Sequence, residues 1–246
     1  MTPSTPPLPS AGPPPPPPRP PAPSTGWDRR EVALLLAMAS LTGLVDATSF
    51  LGLGRVFVAN MTGNVVLLAF ALAGAPGLSA DLSALALTGF LTGAVLAGRT
   101  GRAPGLRQGR GPRWLTVALA LQTGLIIAAL AAASVTGDTD RPYAIIVPLA
   151  GAMGLQHATA RRVAVPEVPT NVLTTTLTGL VIDSRLAGGP GFHAPRRLAA
   201  PLAMFIGALV GGALLLHVDR IVPLALAAAI AAGCLTAAAA GLLIAP

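Results

Sequence analysis

The sequence has no lysine, a single cysteine and few charged residues. All 16 basic residues are arginine, which excludes a P-loop lysine, a Schiff-base lysine and a lysine acid–base catalyst. Cys234 is the only cysteine, so a disulfide framework and paired-cysteine zinc or redox motifs are also excluded. Charged residues make up 10% of the chain, whereas soluble domains carry about a quarter. The composition is therefore not that of a soluble protein.

Apolar residues are abundant. They account for 53% of the 246 residues, and the mean hydropathy is +0.71. Since a membrane-spanning helix takes about 20 residues, the length predicts one all-α, polytopic transmembrane helix bundle at residues 29–246. Residues 1–28 contain six consecutive prolines from Pro13 to Pro18, which predicts a disordered, proline-rich cytoplasmic tail.

Six apolar runs are long enough to be spans, and two more are ambiguous. The predicted spans are Val32–Leu53, Leu82–Gly98, Trp114–Ser134, Tyr143–Thr159, Leu198–His217 and Ile221–Ile244. The ambiguous segments, Val56–Gly74 and Asn171–Asp183, each begin with Asn and Thr residues and end apolar. This pattern is typical of short or re-entrant helices.

The arginines decide between six and eight crossings. Cytoplasmic loops of membrane proteins are enriched in basic residues. If both ambiguous segments re-enter without crossing, the clusters at 29–30, 99–113, 161–162 and 185–197 all lie on one side. We therefore predict six spans plus two re-entrant or short helices in the bacterial cytoplasmic (inner) membrane, with both termini cytoplasmic. Eight crossings remain the alternative, because Val56–Gly74 is long enough to span.

Two halves of the sequence, about 29–137 and 138–246, share the order of their features. Gly43–Thr48 aligns with Gly154–Thr159, and Met61–Gly63 aligns with Leu177–Gly179. With three crossings in each half, the second copy would be inverted, an arrangement common in secondary transporters. Helix-packing faces are predicted at Gly89 and Gly93 and, in the other half, at Gly207 and Gly211. At Gly93 and Gly207, alanine is expected to be tolerated and leucine is not.

Three short motifs resemble one known family. They are TGLVDA at 42–47, VFVANMTGN at 56–64 and TTLTG at 175–179. Together they resemble the YoaK-like family of bacterial multi-pass membrane proteins (domain of unknown function 1275). The resemblance covers nearly all of the chain after the proline-rich tail, and it implies a multi-pass inner-membrane protein but no activity. The sequence departs from the expected pattern at His157, where an asparagine would follow Gln156.

Polar residues inside the predicted spans are the candidates for function. A charge at bilayer depth costs about 2.5–3.5 kcal/mol on insertion scales, so Asp46 and its repeat counterpart His157 are predicted to couple proton or ion movement. A purely structural alternative for Asp46 is capping of a neighbouring helix or pairing with Arg55. Because helix N-termini attract anions and carbonyl groups, we predict a substrate site formed by Asn60, Thr62, Asn64, Asn171, Thr175 and Thr178.

The combination favours a secondary transporter or permease for a small polar or anionic solute, and proton coupling through a change of charge at Asp46 is one option. A non-transporting scaffold or assembly factor is the alternative. An enzyme is not expected, because the sequence has no G-x-S-x-G or H-E-x-x-H motif. The expected partners are the lipid bilayer and an unidentified small solute, and self-association into a homo-oligomer is left open. No cofactor, metal or nucleic-acid partner is expected.

Overall fold

The structure is a computed structural model, and it describes residues 29–103, 112–136, 142–163, 178–179, 181–189 and 194–241. The described residues form helices and loops without a β-strand, which confirms the predicted all-helical bundle. Seven α-helices have defined bounds: α1 (Arg29–Gly52), α2 (Met61–Leu72), α3 (Ala80–Thr100), α4 (Pro112–Val135), α5 (Tyr143–Val163), α6 (Ala194–His217) and α7 (Ile221–Ala239). A 3₁₀ turn follows α5 at Arg185–Ala187. The proline-rich tail lies outside the described residues.

Six of these helices correspond to the six predicted spans. Among the described residues, α1, α3, α4, α6 and α7 are long and apolar enough to cross a membrane. Helix α5 has 21 residues, but its last turn carries Arg161 and Arg162. Most of its other side chains are buried against neighbouring helices, so they need not be as apolar as side chains that face lipid.

Two apolar clusters are stacked along the bundle, and they give the direction of each long helix. One cluster joins the N-terminal parts of α1, α4 and α6 to the C-terminal parts of α3, α5 and α7. The other joins the C-terminal parts of α1 and α4 to the N-terminal parts of α3, α5 and α7. Helices α1, α4 and α6 therefore run in one direction, and α3, α5 and α7 run in the opposite direction.

Basic residues concentrate at one end of this bundle. The arginine-rich end carries Arg29, Arg30, Arg99, Arg102, Arg113, Arg161 and Arg162. At the opposite end, the described residues include only Arg55 and Arg220. Helix α1 begins and helix α7 ends at the arginine-rich end, so the described chain starts and finishes on the same side.

Helix α2 does not cross the bundle. Helix α1 ends, and α3 begins, at the end opposite the arginines, so the segment between them leaves and returns on one side. Its 12 residues extend about 18 Å at 1.5 Å per residue, well short of the roughly 30 Å hydrocarbon core. The first predicted short helix is therefore present. Most of the second segment, Asn171–Asp183, lies outside the described residues.

Glycines allow two parallel helix pairs to approach until their backbones touch. A Cβ atom on Gly93 of α3 would lie 1.9 Å from the carbonyl oxygen of Gly151 on α5, and one on Gly207 of α6 would lie 1.9 Å from that of Ser40 on α1. The expectation that alanine is tolerated at these two glycines is therefore wrong, since backbone atoms leave no room even for a methyl group.

The two other predicted packing glycines have slightly more space. A Cβ on Gly89 would lie 3.1 Å from the Val147 carbonyl oxygen, and one on Gly211 would lie 2.7 Å from that of Leu44. All four glycines thus face a neighbouring helix rather than lipid.

Candidate functional site

Asp46 is buried near the end of α1 and holds the chain that leads into α2. Its Oδ1 accepts hydrogen bonds from the backbone N–H groups of Val58 and Ala59, at 3.0 Å and 2.8 Å. Its Oδ2 is also buried but has no hydrogen-bond partner among the described residues. The carboxylate thus anchors the loop with one oxygen and leaves the other uncommitted.

The motif at 56–64 forms a compact turn around this anchor. Asn64 is fully buried, and its side chain both accepts from the N–H of Phe57 and donates to the Phe57 carbonyl. Asn60 caps α2 by accepting from the N–H of Gly63. A Cβ on Gly63 would lie 2.9 Å from the Phe57 ring, so the turn requires glycine there. Much of the motif therefore specifies this turn.

The predicted substrate residues of the first half differ in exposure. Asn60 and Thr62 are exposed at the start of α2, while Asn64 is buried and hydrogen-bonded to the backbone of Phe57. The side chain of Asn64 is therefore committed to the fold, and that of Asn60 caps α2. In the second half, Thr178 is exposed on a short helical stretch, and Asn171 and Thr175 lie outside the described residues.

His157 lies on α5 and contacts residues of α5 and α3. Its Nδ1 is 2.8 Å from the carbonyl oxygen of Met153 one turn earlier. Its ring meets Phe90 of α3 edge-on, with 5.3 Å between ring centroids. Asp46 instead accepts from the loop before α2, so the two predicted coupling residues do not share these partners.

The structure also contains a buried polar network that the sequence did not single out. Gln122 of α4 donates from Nε2 to Oε1 of Gln156 on α5, at 2.7 Å. Gln156 donates in turn to the Met38 carbonyl at 3.0 Å and to the Thr42 hydroxyl at 2.9 Å, both on α1. The network joins three helices at the boundary between the two apolar clusters. A glutamine inside a predicted span is itself a signal that the sequence offered.

Arginine side chains connect neighbouring helix ends at both ends of the bundle. Arg162 at the end of α5 stacks 5.0 Å above the Trp114 ring of α4 and donates to the carbonyl of Gly101 after α3. At the other end, Arg220 before α7 donates to the carbonyl of Thr136 after α4. Both arginines satisfy carbonyls that a helix end leaves without a partner.

Long apolar helices packed around buried polar groups define a polytopic helical membrane protein. The family described as "Protein of unknown function (DUF1275)" matches residues 34–240, and the chain belongs to this family. Its resemblance to the YoaK-like proteins is thereby confirmed.

One curated relative is the UPF0700 transmembrane protein YoaK of Bacillus subtilis (strain 168), which is 34% identical over 151 residues. The match covers 61% of this chain and 65% of the relative, so the chain spans slightly less than two thirds of that protein's length. No solved structure matches the chain.

Proposed function

We propose that the two halves of the transmembrane domain are inverted copies of one unit. Helices α1, α3 and α4 alternate in direction, and α5, α6 and α7 alternate in the opposite sense. Reciprocal contacts support this relationship. Gly207 of α6 meets Ser40 of α1 in the way that Gly93 of α3 meets Gly151 of α5.

A second pair of contacts follows the same spacing. A Cβ on Gly43 of α1 would lie 2.0 Å from the Met204 carbonyl oxygen, and one on Gly154 of α5 would lie 1.9 Å from that of Phe90. In this register, Gly93 of the first half corresponds to Gly207 of the second. The sequence alignment instead paired Gly89 with Gly207, which differs by one helical turn. The register of the contacts also matches Asp46 with His157, as the sequence alignment did.

On this basis the protein is a secondary transporter for a small polar solute. The observation that carries the proposal is the short helix α2, whose preceding loop is fixed to the bundle by the buried carboxylate of Asp46. Interrupted helices within inverted repeats form the substrate and ion sites of many secondary transporters. Irregular backbone at membrane depth is tolerated where it is buried in protein or lines an aqueous cavity.

Asp46 is the group through which a proton would drive the cycle. A proton on the unpartnered Oδ2 neutralises the carboxylate without displacing the two N–H groups bonded to Oδ1. Hydrogen bonds to an ionised acceptor are roughly twice as strong as those to a neutral one. Protonation therefore weakens the anchor of the loop and frees α2 to shift, which couples the proton to the access of solute.

The arginine-rich end is assigned to the cytoplasm, because basic residues are retained on that side of bacterial membranes. Both termini then lie in the cytoplasm, and α2 enters from the outer face. We also propose a non-enzymatic role, since the sequence carries neither a G-x-S-x-G nor an H-E-x-x-H motif. A scaffold is the second candidate, since the close contact between α3 and α5 at Gly93 favours a rigid bundle. A scaffold gives no role to the unpartnered oxygen of Asp46.

The test is solute uptake into proteoliposomes that contain the full chain, with and without an inward proton gradient. A panel of polyols, amides, sugars and carboxylates supplies the probes. We expect at least one solute to accumulate only with the gradient, and Asp46→Asn to abolish accumulation while retaining exchange. Asp81→Asn, at an exposed carboxylate in the first turn of α3, is the matched control. Undiminished accumulation by Asp46→Asn rejects the coupling role, and no uptake of any probe rejects transport of these classes.

A further inference from the structure

Four buried polar side chains form a layer between the two apolar clusters. They are Thr42 of α1, Gln122 and Thr123 of α4, and Gln156 of α5, each no more than 5% exposed. On α4, apolar residues of one cluster end at Leu119 and those of the other begin at Ile126. The layer therefore lies midway along the bundle, where a transporter of this architecture binds its substrate.

The hydrogen bonds fix which way each amide points. The Met38 carbonyl can only accept, so Gln156 must present Nε2 to it and Oε1 to Gln122. Gln122 must then present Nε2 to Gln156, and its own Oε1 is left as the free acceptor. Within the described chain, neither this oxygen nor the neighbouring Thr123 hydroxyl has a hydrogen-bond partner.

The unpartnered Gln122 Oε1 and Thr123 hydroxyl lower the stability of the folded state, and the fold alone does not explain why they are retained. A buried acceptor without a donor costs about 1–3 kcal/mol, and most buried polar groups in proteins are paired. Serving a ligand is one reason to retain such groups, since a solute that donates a hydrogen bond to Gln122 recovers this cost on binding.

The chemistry of the layer also indicates the charge of that ligand. Its four side chains are neutral amides and hydroxyls, so none compensates the high cost of burying an ion. The nearest carboxylate on α1 is Asp46, one turn beyond Thr42, and it repels an anion when ionised. We infer that the free Oε1 of Gln122 provides the acceptor of a binding site, in the same layer as Thr123, for an uncharged solute with N–H or O–H donors, such as an amide or a polyol. This inference rests on the proposed transport function and narrows its substrate class.

A cysteine reporter tests the site without knowledge of the natural solute. In a Cys234→Ala background, Thr123→Cys replaces the hydroxyl with a thiol of similar size and leaves the glutamine bonds in place. The full chain in liposomes is treated with iodoacetamide, a neutral amide, or with iodoacetate, an anion of similar size. Val218→Cys, at a position 64% exposed, corrects for the intrinsic reactivity of the two reagents. Ala129→Cys, fully buried on the same helix, corrects for general opening of the bundle.

We expect Thr123→Cys to react with iodoacetamide about tenfold faster than Ala129→Cys, as for a site that opens more readily than the core. After correction, iodoacetate should react at least about tenfold more slowly than iodoacetamide, a difference of about 1.4 kcal/mol. Adding Gln122→Leu should remove the preference for the amide. Should Thr123→Cys fail to fold, Thr42→Cys on α1 reports on the same layer while Gln122 stays in place.

Two outcomes would overturn the inference. Equal reactivity of Thr123→Cys and Ala129→Cys would mean that the layer is a dry structural network. Equal corrected rates with both reagents would mean that it does not select uncharged solutes. Neither outcome touches the Asp46→Asn uptake test, so the inference and the transport proposal can fail separately.

Discussion

Oδ1 of Asp46 lies 2.8 Å from the backbone nitrogen of Ala59, thirteen residues further along the chain. The bond ties the last turns of α1 to the loop before α2 and satisfies a buried N–H group that no helix partner could reach. Asp46 therefore shapes the local fold as well as carrying a removable charge. The proposed coupling role adds a proton at the other oxygen, so substitutions that keep or remove Oδ1 test the anchoring of the loop separately.

Asp46→Ala should destabilise the protein more than Asp46→Asn. Alanine leaves the N–H groups of Val58 and Ala59 without an acceptor, at a cost of about 2 kcal/mol. Asparagine keeps an oxygen in that position. Thermal unfolding in detergent measures the difference, and hydrogen exchange at residues 58–59 should accelerate in the alanine variant only. Equal stability of the two variants would show that the carboxylate does not anchor the loop.

Gly93→Ala and Gly207→Ala should each lower the thermal stability. The new methyl group would overlap a backbone carbonyl at 1.9 Å, and overpacking of this kind costs about 1–3 kcal/mol. Gly124→Ala and Gly233→Ala are matched controls within α4 and α7, where a Cβ meets nothing within 4 Å. Because alanine favours helix over glycine, the controls should be neutral or stabilising. Wild-type stability of Gly93→Ala would contradict the close contact of α3 and α5.

Gln156→Leu should be partly rescued by Gln122→Leu. The single substitution leaves the whole amide of Gln122 buried without partners, which costs about 1–3 kcal/mol. The double substitution removes that amide, so its loss of stability should be smaller than the sum of the two single losses. A double-mutant cycle of unfolding free energies in detergent checks this. Additive losses would mean that the two glutamines do not interact.

Single cysteines should distinguish the two ends of the bundle in whole cells. In the Cys234→Ala background, an impermeant thiol reagent applied outside should label Ser79→Cys and Asp219→Cys, which lie at the end opposite the arginines. Arg102→Cys, exposed at the arginine-rich end, should react only after the membrane is permeabilised. External labelling of Arg102→Cys would reverse the proposed orientation, and labelling of all three would reject the six-span arrangement.

The sequence predicted the helical bundle well, because span length and arginine position depend little on tertiary detail. It could not predict the partner of Asp46, since a bond to backbone N–H groups leaves no side-chain signature. In the proposed repeat, the sequence alignment of α3 with α6 differs by one turn from the register of the helix contacts, because glycines spaced by four residues fit either register equally. Gln122 gives little signal in the sequence, because one glutamine in an alanine- and leucine-rich run barely alters the hydropathy of the helix.

The pairing of α1 with α6, and of α3 with α5, has a consequence for synthesis. Each half places its helices against partners from the other half, so neither half completes its interface while it is being translated alone. Helix α1 must enter the membrane with Ser40 and Gly43 facing lipid or the insertion machinery until α6 has been made. Early release of the first half from that machinery would expose these backbone faces. Assembly of this protein is therefore coupled to completion of nearly the whole chain.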